Sequence, residues 1–131
     1  MHVLHLGVLL LACGNELQVL AERGHFGSYA FAKAEHRMDA ALHKAFAKLQ
    51  AWCNLHRVEC SQHRFSWTPI RASATAFPEL KAKAHNAYVI TRWLYDEVCE
   101  ANAPRSEVRL FWGLTTILSL LHFAHRSGSW K

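Results

Sequence analysis

The stretch that decides the fold is Ser28 to Cys60, SYAFAKAEHRMDAALHKAFAKLQAWCNLHRVEC. It is rich in Ala, Lys, Leu and Glu, which give up little on entering a helix. Phe31, Met38, Leu42, Ala45, Leu49 and Trp52 recur at steps of three, four and seven, so a helix gathers them into one apolar stripe. Ser28 is a suitable N-cap, because its hydroxyl can accept from a free first-turn N–H. Nearly opposite the stripe lie Lys33, Arg37, Lys44 and Lys48, flanked by His36 and His43.

Three more helices follow from the same logic. Residues 3–23 are apolar and then mixed, with Asn15 and Gln18 resembling a capping box at a break near Gly14, and Gly24 as a stop. A helix over about 78–101 begins at Pro78, with Leu80, Ala84, Ala87, Thr91, Leu94 and Val98 as its inward face. The last, about 104–126, is apolar almost all round, with Leu110, Leu114, Ile117 and Leu121 on one side and Trp112 and Phe123 on the other. Its sixteen uncharged residues between Arg109 and Arg126 fall short of the roughly 20 of a membrane span, so it reads as a buried central helix. Residues 61–76 carry turn formers, and no stretch has the period-two pattern of a strand. The expectation is all-α: an up-down bundle of three to four helices over about 3–23, 28–60, 78–101 and 104–126.

Composition agrees. The 131 residues suit one helical domain, whole or a piece of a larger protein. With 51% hydrophobic and 19% charged residues the chain is too apolar for disorder. Fifteen Lys+Arg against ten Asp+Glu leave it mildly basic, and ten histidines are the unusual count. Histidines held neutral in a core would resist protonation, and on that ground stability should fall between about pH 6.5 and 5.

Four cysteines are too few for a disulfide scaffold, and on a continuous helix Cys53 and Cys60 stand about 10 Å apart, beyond disulfide reach. Free thiols in the cytoplasm are the expected state. Residues 1–14 offer an alternative: an apolar run ending at Leu10-Leu11-Ala12-Cys13-Gly14 looks like a signal segment, secreted or lipid-anchored through Cys13, but it has no Lys or Arg ahead of it.

Catalytic motifs are missing: no phosphate-binding Gly loop, no H-E-x-x-H, no G-x-S-x-G, and no pair of carboxylates in an apolar setting. The reading leans away from an enzyme and expects no cofactor. Cys53, His56, Cys60 and His63 have zinc-ligand chemistry in a C-x2-H-x3-C-x2-H run, though a helix would spread them too far to share one ion. The basic residues Lys33, Arg37, Lys44 and Lys48 could track a nucleic-acid backbone, diluted by Glu35 and Asp39. The leading expectation is a non-enzymatic interaction module. Val89, Trp93, Trp112 and Phe123 point away from the expected inward faces, which suits a protein partner or a second copy of the chain and no membrane partner.

Overall fold

The computed structural model describes the backbone of residues 2–62, 64–65 and 84–126, and the side chains of 7–62, 64–65 and 85–119. It is an all-α bundle of α1 (His2–Glu22), α2 (Ala34–His56), α3 (Ala84–Glu100) and α4 (Arg105–Arg126), with no strand among the described residues. Helix α1 runs through Gly14 and Asn15 without a break. The segment 78–83, where the third helix was expected to start, lies outside the described residues.

Helices α1, α2 and α3 end in the same way. A residue just beyond each adopts a left-handed conformation, and two N–H groups turn back to the last carbonyls. After α1, Gly24 (φ 80°) donates to Ala21 at 3.1 Å and His25 to Leu20 at 3.0 Å. After α3, Asn102 (φ 51°) donates to Cys99 at 3.2 Å and Ala103 to Val98 at 3.1 Å. Gly and Asn are the residues that tolerate this conformation best. Arg57 (φ 54°) does it without that tolerance, donating to Asn54 at 3.4 Å while Val58 donates to Cys53 at 2.9 Å. Helix α2 therefore stops at His56 rather than reaching Cys60.

It also starts late. Lys33, in extended conformation and without a side-chain cap, precedes Ala34, and Ser28 is not the N-cap of α2. The chain between α1 and α2 is spent on driving Phe26 into the core, with Tyr29 Oη donating to the Phe26 carbonyl at 2.9 Å. Phe31 is left outside the helix and exposed, so the apolar stripe of α2 is Leu42, Ala45, Leu49 and Cys53, edged by Met38 and Trp52.

The central helix is α3, not α4. It packs against α1, α2 and α4, and buried residues cover more than half of its circumference. Ala87, Thr91, Leu94 and Val98 are buried as expected, but so are Val89, Ile90 and Trp93. Trp93 stacks with Phe26 and Phe65 at centroid distances of 6.3 and 6.2 Å and donates its indole N–H to Glu97 at 3.0 Å. Thr91 donates to the Ala87 carbonyl at 2.7 Å and meets Cys13 Sγ of α1 at 3.3 Å.

Helix α4 folds back on α3 after the short Ala101–Pro104 connection, and among the described residues its buried side is centred on Phe111 and edged by Val108 and Leu114. Two members of the expected inward face Leu110, Leu114, Ile117 and Leu121 are outside, Leu110 and Ile117 at 51% exposed each, while Leu114 is half-buried at the edge of the packed side. An all-round apolar helix has several faces that could have been chosen. Phe111, the residue between the two expected faces, is the one that meets α3.

Candidate functional site

Helices α1 and α4 both lie on α3, and a polar clasp joins the end of α1 to the start of α4. Arg23, just past the end of α1, holds Glu107 of α4 with both guanidinium nitrogens, at 2.8 and 2.7 Å, and Glu16 of α1 lies near enough to the same carboxylate to interact with it. This marks the sides that the two helices turn toward each other. At helical steps from Glu16 and Arg23 that side of α1 carries Val8, Ala12 and Val19. From Glu107 that side of α4 carries Leu110, Leu114 and Ile117. The result is an apolar strip closed at one end by a polar clasp. Val8, Leu110 and Ile117 are its exposed members; Leu11, also exposed, lies beside it on α1, and Trp112, 57% exposed, stands on the other flank of α4.

The clasp is electrostatically unusual. Glu16 is buried, and its Oε2 has no hydrogen-bond partner among the described residues. Burial pushes its carboxyl up to about 8, and the nearby Glu107 carboxylate adds to the effect. The Arg23 guanidinium holds Glu107 below its ordinary range. The two carboxyls are thus pushed apart, Glu16 toward its protonated form and the Arg-paired Glu107 toward its ionised form. The sequence contains no sign of this pair, because its members are 91 positions apart.

The residues singled out from the sequence separate into several places. Val89 (1% exposed) and Trp93 (0%) are core residues and cannot form a docking surface. Their polar neighbours suggested exposure, but Asn86 and Glu97 are themselves buried and bonded within the bundle. Trp112 is exposed as expected, while the Phe123 side chain lies outside the described residues.

The basic stripe is broken. Lys48 turns inward to Glu97 at 2.9 Å and Glu100 at 3.6 Å, and Arg37 is held by the Phe31 and Ala32 carbonyls at 2.7 and 3.0 Å. Lys33 and Lys44 stay exposed.

The zinc run does not converge either. The His56 ring lies against Trp52 at 4.4 Å between centroids, and Cys53, His56 and Cys60 do not gather around one point; His63 lies outside the described residues. Among the described residues the grouping near enough to share an ion is His25, Glu97 and Glu100, and there the Lys48 ammonium already occupies the cation's place.

Cys13 is fully buried in the core, its thiol pushed up to about 12 by that burial. No helix among the described residues is long and apolar enough to cross a membrane. Of the described histidine side chains only His25 is part-buried, and it faces the Glu97 carboxylate at 2.6 Å; the side chains of His2, His5, His63, His122 and His125, on which the expected acid sensitivity also rests, lie outside the described residues.

No family model matches the chain, and no curated protein or solved structure is detectably similar to it.

Proposed function

We propose that the protein is a helical interaction module that binds a protein partner, or a second copy of itself, through the exposed apolar residues of α1 and α4, with Trp112 on the other flank of α4. The observation that supports this is the exposure of Leu110, Trp112 and Ile117, each more than half open on a helix whose packed side, among the described residues, centres on Phe111. Large apolar residues clustered on one helix are costly to leave in water and commonly mark contacts with another chain. Trp is also among the residues that contribute most to such contacts. The charged clasp at one end, Arg23 with Glu107, would set orientation rather than affinity.

The test is a double variant, Trp112→Ser with Ile117→Ser, compared with the wild type by light scattering coupled to size exclusion, alone and in extract from the native source. The wild type is expected to run larger than its monomer mass, and the variant to run as a monomer with an unchanged melting temperature. A wild type that stays monomeric under both conditions overturns the reading.

A further inference from the structure

The left-handed Arg57 turn has a chemical consequence at the end of α2. It reverses the chain so that Val58 N–H bonds the Cys53 carbonyl at 2.9 Å, and two residues later Cys60 returns to the same cleft that Cys53 lines. The two side chains line one cleft of about 640 Å³ together with Phe46, Leu49 and Val58. Cys53 belongs to the buried core and Cys60 packs half-buried against it. Both are free thiols.

We propose that Cys53 and Cys60 are a dithiol modification site that closes to an intramolecular disulfide with a low-molecular-weight disulfide as the oxidant. Cys60, the more accessible sulfur, loses its proton to solvent and attacks one sulfur of the small disulfide. That S–S bond breaks, one small thiolate leaves, and Cys60 carries a mixed disulfide. Cys53 then loses its proton and attacks the Cys60 sulfur, and the second small thiolate leaves. Two protein thiols are oxidised by two electrons, and one small disulfide is reduced to two thiols. The order follows from accessibility. It also agrees with the Cys53 thiol, pushed up to about 11 by burial and by the neighbouring Cys60, which suits it to the resolving step rather than the first attack. The remaining cysteines have no such neighbour: Cys13 is hydrogen-bonded to Thr91, and Cys99 is exposed on α3 beside Tyr95.

The test equilibrates the full reduced chain in glutathione buffers of rising disulfide fraction, quenches with an alkylating agent and digests with trypsin. Arg57 lies between the two cysteines, so cleavage separates Leu49–Arg57 from Val58–Arg64 unless a disulfide joins them. The linked pair is expected to appear in the wild type and in Cys99→Ser, and to vanish in Cys60→Ser, whose melting temperature is compared with that of the wild type. Repeating the series in urea separates the folded geometry from mere proximity in sequence. The native chain is expected to form the link at a glutathione disulfide level at least about tenfold lower than the unfolded chain. Equal levels in the two states overturn the proposal, and so does a Cys60–glutathione adduct that never resolves.

Discussion

Replacing Glu16 by glutamine should remove a pH dependence that the wild type carries in its α1–α4 clasp. The Glu16 carboxyl has a folded-state pKa of about 8 against an ordinary value of 4.5. A group whose pKa is raised by folding contributes stability that is complete below the unfolded value and is lost as pH climbs through the folded one. The window is therefore about pH 4.5 to 8, and within it the loss approaches about 1.4 kcal/mol per pH unit. Glu107, whose pKa is lowered chiefly by its hydrogen bonds with Arg23, acts in the opposite sense, losing its contribution only as pH falls below the ordinary carboxylate range.

Between pH 5.5 and 7.5 the wild type should thus lose about 2–3 kcal/mol from this site alone. For a chain of this size that is a drop of roughly 10 °C in melting temperature. The glutamine of the Glu16→Gln variant keeps the size but cannot ionise. Urea midpoints at pH 5.5, 7.5 and 8.5 should fall steadily for the wild type and much less for the variant, with the two closest at pH 5.5. Parallel pH profiles for the two proteins, or a wild type more stable at pH 8.5 than at 5.5, would refute the reasoning.

Other perturbations follow from the packing. Trp93→Ala removes a fully buried ring stacked on Phe26 and Phe65 and should cost about 3–5 kcal/mol by chemical denaturation, whereas Trp112→Ala should stay within about 0.5 kcal/mol. Lys48→Ala withdraws an ammonium from the buried Glu97 carboxylate and should cost about 2–4 kcal/mol, while Lys33→Ala, on the same nominal stripe, should be close to neutral. Arg57→Gly relieves a left-handed backbone at a non-glycine residue and should raise the urea midpoint by an amount equivalent to about 1 kcal/mol.

Much of the fold was legible because helix formation is local. The periodic apolar residues of α2, the Gly24 stop and the Asn102-Ala103-Pro104 connection all act within a few residues of themselves. What was not legible is decided between helices. Val89 and Trp93 looked exposed because their sequence neighbours are polar, but Glu97 is satisfied by Lys48 and His25, which are 49 and 72 positions away. Leu110 and Ile117 looked buried because an all-round apolar helix gives no preference among its faces, and it is Phe111 that fills the space beside α3. The Cys53–Cys60 approach was hidden for a local reason: Arg57 is not a residue whose type announces a left-handed turn, so α2 was read as continuing past both cysteines. The Glu16–Glu107 pair had no local signal.

The most direct test is hydroxyl-radical footprinting of the native protein, read residue by residue after proteolysis. It bears on the central claim that α3 is the enclosed helix while α4 offers its apolar flank to another chain. Rapid labelling of Trp112, Leu110 and Ile117 is predicted in the isolated monomer, with Trp93 and Val89 protected. Labelling of the α4 residues should then fall when the protein is assembled with its partner. Trp93 labelled as fast as Trp112, or an α4 flank already protected in the monomer, would contradict the claim.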